Sequence, residues 1–213
     1  MPASTEHKFD AVLFDLLTGL LDSWTLWNNV AGNVEDGRKW RSAYLRRTYQ
    51  AGAYRPYATL VAEAAVEAGL PPSLAEHLAA RYGELEPWPE VCEVLGSLRR
   101  GGLALGVVTN CSDELAAMAV ARTGVAFDVV ATAERAGSYK PDPRPYRMAL
   151  DKLRANAERC LFVAGSAYDL FGASRVGLAA YWHDRVGMTP PPNAPDPIAH
   201  HRSLYPLLGV ALE

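Results

Sequence analysis

Several polar side chains in this sequence come directly after hydrophobic runs, where buried strands are expected to end. Asp15 follows the run at 11–14, and Thr109 and Asn110 follow the run at 106–108. Two later positions belong with them: Lys140 and Asp169. A carboxylate at the end of a buried strand is costly unless it is paired or used. An ammonium group beside it keeps it ionised and therefore nucleophilic, so we expect covalent catalysis by Asp15.

These side chains can act together only if the runs before them form neighbouring strands of one sheet. The sequence predicts five strands, at Phe9–Leu16, Leu103–Val108, Phe127–Ala131, Cys160–Ala164 and Ala179–Trp182. Helical patterns separate the later strands, among them Pro143–Leu153 and Asp169–Val176, and this alternation predicts a parallel sheet covered by helices. Active sites in such sheets lie beyond the carboxyl ends of the strands. We therefore expect the five side chains to converge at one edge of the sheet.

The stretch after the first predicted strand is different, because it has helical patterns and no convincing strand. Four helices are predicted there, at Leu20–Val30, Arg38–Gln50, Tyr57–Gly69 and Ser73–Tyr82, followed by a proline-containing linker at 86–89. The proline-rich tail is expected to be a surface loop before a short final helix. The predicted fold class is therefore α/β, with an all-helical cap (residues 20–85) inserted into a Rossmann-like parallel-sheet core (residues 1–19 and 86–213).

The composition excludes several classes of protein. The 213 residues are 49% hydrophobic, which is enough for a core, and the net charge of −3 implies no basic surface for nucleic acid. The three cysteines are too few for a disulfide framework or a zinc finger. No apolar run approaches the roughly 20 residues that cross a bilayer. Because the first ten residues lack the basic-then-apolar pattern of an export signal, we expect a cytoplasmic protein.

Four motifs in this order resemble those of the haloacid dehalogenase superfamily, and the resemblance spans nearly the whole chain. The motifs are LFDLLTGLLDS around Asp15, VVTNCS around Thr109, SYKPDPRPY around Lys140 and VAGSAYDLFGA around Asp169. The resemblance implies a nucleophilic Asp15 after the first strand, a strand-end hydroxyl, a lysine and an acidic loop. It also implies the α/β fold with an inserted helical cap that the segment pattern predicts.

Two departures from the phosphatases of that superfamily indicate a different branch. Those enzymes carry a second aspartate two residues after the nucleophile, where this chain has Leu17. They also place a magnesium-binding aspartate where this chain has Gly165. The pattern is similar to the L-2-haloacid dehalogenase branch, which lacks the second aspartate. The resemblance therefore implies a metal-independent hydrolase, without a cofactor, that converts a small (S)-2-haloacid to the inverted 2-hydroxy acid.

The resemblance to that branch also implies roles for individual residues. Asp15 would form an ester with the substrate, Lys140 would offset the negative charge, and Asp169 with Ser166 would place the hydrolytic water. The substrate and the departing halide would be bound by Leu17, Arg41, Thr109, Asn110 and Tyr146. The expected partner is a small anionic molecule. A homodimer is also expected, because that branch tends to pair through its helical cap.

Alternatives remain open from the residues alone. The branch has a threonine where this chain has Gly19 and a serine where it has Ala164, and losing either hydroxyl would slow ester hydrolysis. The chain could instead be a magnesium-dependent phosphatase or a catalytically weakened binding protein. Arg41 lies in a run of basic residues that is equally typical of a solvated helix face. Cys111 is expected to be a small buried residue rather than a nucleophile.

Overall fold

The computed structural model describes residues 7–213 and contains six parallel strands in one sheet. The strands are β1 (Ala11–Phe14), β2 (Ala104–Thr109), β3 (Val129–Thr132), β4 (Cys160–Ala164), β5 (Ala179–His183) and β6 (Ala199–His201). Their order across the sheet is β3-β2-β1-β4-β5-β6, and each neighbouring pair is parallel. The predicted α/β fold with a parallel sheet is confirmed.

The central strand β1 shows why its sequence is hydrophobic without interruption. Val12 and Phe14 belong to a hydrophobic cluster on one face of the sheet, and Ala11 and Leu13 belong to a second cluster. Successive side chains of a strand point to opposite faces, and helices cover both faces of a parallel sheet. Both sets of side chains are therefore buried, and Asp15 is the first polar residue that the strand reaches.

Four α-helices lie within residues 20–85, after β1, as predicted. They are α1 (Ser23–Ala31), α2 (Val34–Gln50), α3 (Tyr57–Glu67) and α4 (Leu74–Ala80), followed by a 3₁₀ turn at Tyr82–Glu84. Helix α1 begins three residues later than predicted, because the Asp22 side chain accepts a hydrogen bond from Thr25 N and caps it. The Trp27 ring packs against Trp40 and Tyr44, and these contacts join α1 to α2.

The two connections between this helical segment and the sheet run side by side. Leu21 and Pro87 form an antiparallel bridge. Asp22 N donates to Glu86 O at 2.8 Å, and Trp88 N donates to Leu20 O at 3.0 Å. The segment 86–89 is therefore tied along its length to the start of the helical segment. The division of the chain into a core and a cap at these residues stays a prediction.

One of the remaining helices lies between this helical segment and β2, and the others lie between or after the later strands. They are α5 (Val91–Arg100), α6 (Asp113–Arg122), α7 (Ala133–Ala136), α8 (Pro143–Leu153), α9 (Ala167–Arg175) and α10 (Leu207–Leu212), with a 3₁₀ turn at Ala157–Arg159. Helix α9 begins two residues before the predicted start at Asp169, because Ser166 and Asp169 form a capping box at its first turn.

The prediction of Ala179–Trp182 as the last strand is wrong. The proline-rich tail contains β6, which pairs with β5 and is anchored by Ile198 N donating to Ala180 O at 2.8 Å. The strand has three residues and its two histidines are exposed, so the sequence offers no hydrophobic alternation there. His200 nevertheless stacks on Trp182, with ring centroids 4.1 Å apart.

Within residues 7–213, none of the helices combines the length and the apolar character that crossing a membrane requires. The first six residues, on which part of the expectation about export rests, lie outside the described residues.

Candidate active site

Asp15 is buried just beyond the end of β1, at the carboxyl edge of the sheet. Its Oδ2 atom accepts three hydrogen bonds from the next turn: from Thr18 Oγ1 at 2.6 Å, Thr18 N at 2.9 Å and Gly19 N at 3.0 Å. Burial would raise the pKa of Asp15, but the charge of Lys140 and the hydrogen bonds from Lys140 and Thr18 outweigh it and hold that pKa below its ordinary value. The carboxylate is therefore both ionised and fixed in place.

Lys140 lies between two buried carboxylates. Its Nζ atom is 2.6 Å from Asp15 Oδ1 and 2.9 Å from Asp169 Oδ1, and all three side chains are less than a tenth exposed. Burial works against the charge on Lys140, but the two carboxylates raise its pKa above the ordinary value. Together these groups carry a net charge of one negative unit, with the positive charge in the centre.

Asp169 is held from two sides in the first turn of α9. Its Oδ2 accepts a hydrogen bond from Ser166 N at 3.4 Å, while Ser166 Oγ accepts one from Tyr168 N at 3.3 Å. Its other oxygen contacts Lys140. Burial, to which the charge of Asp15 adds, raises the pKa of Asp169 to about 6, although Lys140 opposes the shift. The two carboxylates thus differ in proton affinity, which suits one to attack and the other to accept a proton.

Thr109 and Asn110 at the end of β2 line the same small cavity as Asp15 and Lys140. The Asn110 side chain contacts the Lys140 backbone in both directions: its Oδ1 accepts from Lys140 N at 2.7 Å, and its Nδ2 donates to Lys140 O at 3.4 Å. The Thr109 hydroxyl donates to the Cys111 sulfur at 3.3 Å. Asn110 therefore positions the lysine, in addition to facing the space where a substrate would bind.

Arg41 on α2 is buried, so the alternative of a solvated helix face is wrong for this residue. Its guanidinium carbon lies 5.1 Å from the ring centres of both Trp24 and Trp27, a distance at which a cation and an aromatic face attract each other. Within the described part of the chain, its Nε and Nη1 atoms have no hydrogen-bond partner. A buried guanidinium with unused donors is suited to bind an anion in the cavity that Arg41 lines.

Two predicted binding residues occupy different surroundings. Leu17 lines the cavity with its apolar side chain, at the position where a second aspartate would stand in the phosphatases. Tyr146 does not line it: its ring packs edge-on against Phe162, and its hydroxyl donates to the backbone oxygen of Asp169 at 3.2 Å. Assigning Tyr146 to direct substrate binding is therefore not supported, and its contact places it as a support for Asp169.

The cavity around Asp15 is small, and residues at the carboxyl edge of the sheet and on α2 line it. Its volume is about 30 Å³, enough for one or two water molecules, and α2 contributes Tyr44, Leu45 and Tyr49 to its walls. Tyr49 packs against Tyr168 of α9, with ring centroids 5.1 Å apart. Leu45 and Tyr168 also line a neighbouring cavity of about 600 Å³. These two side chains therefore separate the reactive carboxylate from the larger space.

The residues around Asp15 do not fit a magnesium site. Gly165 stands where a third carboxylate would be needed, and a Cβ atom there would lie 2.2 Å from Gly19 N and 2.4 Å from Thr18 Oγ1. Among residues 7–213, no three His, Cys, Asp or Glu side chains are grouped as metal ligands. Asp15 and Asp169 share the Lys140 ammonium instead. Two carboxylates already paired with a lysine leave the near-octahedral oxygen shell of Mg²⁺ incomplete.

Thr18 is a site residue to which the sequence alone assigned no role. The resemblance places a threonine at position 19, but a Cβ atom on Gly19 would lie 2.4 Å from the backbone oxygen of Asp15. Glycine is therefore required there, and the hydroxyl comes from the preceding residue, whose Oγ1 donates to Asp15. The sequence shows a threonine one position before the expected one. Only the path of the turn shows that the Thr18 hydroxyl reaches the Asp15 carboxylate.

Known proteins resemble this chain in both sequence and structure. It is 33% identical over 142 residues to (S)-2-haloacid dehalogenase 4A of Burkholderia cepacia, a match that covers 64% of this chain and 61% of that protein. A crystal structure of a dehalogenase with an intermediate complex superposes with a TM-score of 0.84 at 26% identity, covering 97% of this chain and 98% of that one.

The L-2-haloacid dehalogenase of Xanthobacter autotrophicus, solved with chloropropionic acid covalently bound, has the same fold. Its TM-score is 0.83 at 20% identity, over 93% of this chain and 96% of that one. The model of haloacid dehalogenase-like hydrolases matches residues 9–177, which include Asp15, Thr109, Lys140 and Asp169. The chain therefore belongs to the haloacid dehalogenase-like hydrolases.

Proposed function

We propose that this protein is a metal-independent dehalogenase that converts a small (S)-2-haloacid to the 2-hydroxy acid of inverted configuration. The observation that carries the proposal is the buried Asp15 carboxylate, paired with Lys140 at 2.6 Å in a small cavity that the buried Arg41 also lines. The names of the Burkholderia and Xanthobacter proteins support the same reaction for this chain.

The first step is a displacement at carbon. An Asp15 carboxylate oxygen attacks C2 of the haloacid, the bond from C2 to the halogen breaks, and the halide leaves on the opposite side. Two anions approach each other in this step, and their repulsion is strong in a low-dielectric cavity. Lys140 offsets that repulsion, and the free Arg41 donors stabilise the halide as its charge develops. The product is an ester between Asp15 and C2.

The second step hydrolyses this ester at the enzyme's own carbon. Asp169 accepts a proton from a water molecule, whose oxygen attacks the Asp15 carboxyl carbon. The bond from that carbon to the ester oxygen breaks, and this oxygen takes the second proton of the attacking water and departs with the substrate as the new hydroxyl group. The proton on Asp169 passes to solvent. C2 is attacked only once, so its configuration inverts. Asp15 regains a carboxylate that contains one oxygen from water.

Isotope labelling tests this proposal directly. Wild-type protein is incubated for many turnovers with (S)-2-chloropropionate in H₂¹⁸O, and the peptide that contains Asp15 is analysed by mass spectrometry. We expect ¹⁸O in Asp15 and stoichiometric halide release that a chelator does not reduce. Halide release without label in Asp15 would contradict the ester, and the absence of turnover with any 2-haloacid would contradict the proposed reaction.

A phosphatase is the second candidate, and the site disfavours it. Asp15 could attack phosphorus, but Leu17 cannot protonate the leaving group and Gly165 supplies no metal ligand. Magnesium-stimulated phosphate release that disappears in Asp15→Asn would establish the phosphatase instead. A homodimer stays a prediction from the resemblance, and light scattering in solution would test it.

Removing the Thr18 hydroxyl is expected to slow the reaction without abolishing it. Thr18→Val keeps the side-chain shape and the two backbone donors to Asp15 Oδ2, but it deletes the 2.6 Å hydrogen bond. A hydrogen bond to a charged group contributes about 1.5–3 kcal/mol, so kcat for halide release should fall roughly 10- to 100-fold. Thr25→Val is a matched control, because Thr25 Oγ1 donates to Asp22 at the same spacing on an exposed turn. Equal kcat in wild type and Thr18→Val would contradict this role.

The proton affinity of Asp169 is expected to change during the reaction. In the free protein its pKa is raised to about 6, in part by the Asp15 charge. Esterification neutralises Asp15, so Lys140 then pairs with Asp169 alone and the pKa of Asp169 falls. Ester hydrolysis, which needs the ionised form, should therefore stay fast at a pH where free Asp169 is already protonated. The pH dependence of single-turnover ester hydrolysis measures the pKa of Asp169 in the ester, and a ¹³C carboxyl titration measures it in the free protein. We expect the pKa in the ester to be lower.

The same shift has a consequence for stability. Asp169 binds its proton more tightly in the folded protein than the ordinary aspartate does when unfolded. This contribution is fully present below the ordinary aspartate pKa of about 3.8, and it is lost as the pH rises through about 6. Asp169→Asn should remove this contribution to the pH dependence of stability, as measured by the midpoint of urea unfolding between pH 4 and pH 7. An unchanged pH dependence in that variant would contradict the assignment.

A further inference from the structure

The turn that holds the nucleophile is itself held by two side chains from outside the reactive cavity. Trp88 Nε1 donates to the backbone oxygen of Thr18 at 3.0 Å. His183 Nδ1 lies 2.9 Å from the backbone oxygen of Gly19. A carbonyl oxygen can only accept, so His183 must carry its proton on Nδ1. Neither Trp88 nor His183 lines the cavity around Asp15, and neither is assigned a role by the reaction above.

The Trp88 contact is connected to the carboxylate through a single peptide group. The carbonyl of the Thr18–Gly19 peptide accepts from Trp88, and the N–H of the same peptide donates to Asp15 Oδ2 at 3.0 Å. In a planar trans peptide, the C=O and N–H bonds point in opposite directions. Indole, peptide and carboxylate therefore form one chain of hydrogen bonds, in which each bond polarises the next.

The His183 contact fixes the peptide group that follows. The carbonyl of the Gly19–Leu20 peptide faces His183, and its N–H donates to Leu16 O at 3.2 Å. Gly19 therefore lies between two peptide groups that are each anchored by a side chain. A glycine has more backbone freedom than any other residue, so its amide needs this external support to keep one direction.

An ion pair lies beside the Trp88 donor. Arg185 stacks on the Trp88 ring at 4.9 Å, and its Nη1 donates to Glu90 Oε1 at 2.9 Å. The second ring nitrogen of His183 lies 4.0 Å from the same Glu90 oxygen. Burial lowers the pKa of His183, and this favours the neutral ring. The buried Glu90 thus supports Trp88 through Arg185, while His183 Nε2 has no hydrogen-bond partner within residues 7–213.

We propose that Trp88 and His183 are positioning residues for the nucleophile, which hold the peptide groups on either side of Gly19 so that its amide stays directed at Asp15 Oδ2. This inference rests on the proposed function in taking Asp15 as the nucleophile. Both residues act through the turn and touch no reacting atom. Their removal should therefore lower the rate of the Asp15 reaction while leaving the affinity for the substrate unchanged.

Kinetic measurements on three variants test the rate. Trp88→Phe keeps a ring for Arg185 but removes the Nε1 donor, and His183→Leu removes the second donor. His183→Asn retains an N–H at the place of Nδ1. We expect kcat to fall roughly three- to tenfold in Trp88→Phe and His183→Leu, with KM within twofold of wild type, because each loses one hydrogen bond. His183→Asn should recover most of the wild-type kcat.

A measurement without substrate separates this inference from the proposed reaction. The carboxyl of Asp15 is titrated by ¹³C NMR in protein labelled at aspartate, with Asp15→Asn to assign the resonance. Asp15 faces Lys140 and Asp169 in every variant. A difference in the Asp15 pKa between variants therefore reflects a change in the turn. We expect the pKa of Asp15 to rise in Trp88→Phe and His183→Leu, and to stay near wild type in His183→Asn.

The control is Trp182→Phe, which replaces a buried indole on β5 next to His183. Trp182 Nε1 has no hydrogen-bond partner within residues 7–213, so its loss should leave the Asp15 titration unchanged. An Asp15 titration identical in wild type, Trp88→Phe and His183→Leu would overturn the inference, even if halide release is normal. If no haloacid is turned over but the pKa of Asp15 shifts as expected, the positioning role is supported and the proposed reaction is contradicted.

Discussion

Asp15→Asn is expected to abolish halide release, with kcat reduced roughly 10⁴-fold or more. The amide is nearly the same size as the carboxylate, but it is neutral and a poor nucleophile at carbon. The two backbone donors to Oδ2, Thr18 N and Gly19 N, still have an oxygen acceptor in the variant. Chloride release from (S)-2-chloropropionate is measured by ion chromatography, beside the thermal midpoint of unfolding.

Asp151→Asn is the control for this change, because it makes the same replacement at an exposed position of α8. Its activity should equal that of the wild type. Residual activity of Asp15→Asn within tenfold of wild type, with no sign of deamidation by mass spectrometry, would contradict nucleophilic catalysis by Asp15.

Lys140→Met is expected to give the second largest loss, roughly 10³-fold in kcat for halide release. The lysine keeps Asp15 ionised and offsets the approach of an anionic substrate. Without it, Asp15 and Asp169 face each other in a buried cavity, so the pKa of at least one of them should rise. The acid limb of the rate profile should therefore move to higher pH in this variant, and halide release across pH 5–9 measures that movement.

The same variant should also be less stable, and by an amount that depends on pH. Removing one partner of a buried ion pair costs about 3–5 kcal/mol when the remaining charge stays uncompensated. With the carboxyl pKa values raised, the folded variant binds protons more tightly than the unfolded chain, so its stability falls as the pH rises. Lys152→Met, at an exposed position of α8, is the control for urea unfolding at pH 5 and pH 8. Equal destabilisation at both pH values would contradict the electrostatic coupling between Lys140 and the two carboxylates.

The sequence was most informative where strands end. Asp15 follows β1, Thr109 ends β2, and Lys140 lies in the connection after β3. Ser166 comes just after β4, and parallel strands bring their carboxyl ends to one edge. Their proximity could therefore be predicted without any knowledge of the helices. Helix α8, with its proline in the first turn and its apolar stripe, was predicted with the correct bounds.

Other features could not be predicted, because they depend on the path of the backbone. The burial of Arg41 results from how α2 packs against α1, which places two tryptophan rings beside a residue in a basic run. Trp88 stands in a segment predicted as a linker, and its contact with Thr18 joins residues seventy positions apart. Strand β6 is too short to carry a hydrophobic pattern. In each case the deciding interaction is between distant segments.

The close packing at Gly165 constrains how this protein could change its chemistry over evolutionary time. Any side chain there would collide with the backbone of Thr18 and Gly19, so an acquired aspartate would first have to displace the turn that holds Asp15. Leu17 would need a second, independent replacement before a leaving group could be protonated. Converting this chain from carbon–halogen to phosphate-ester hydrolysis would therefore need both substitutions and a rearranged turn, and a Gly165→Asp single variant should be nearly inactive towards both kinds of substrate.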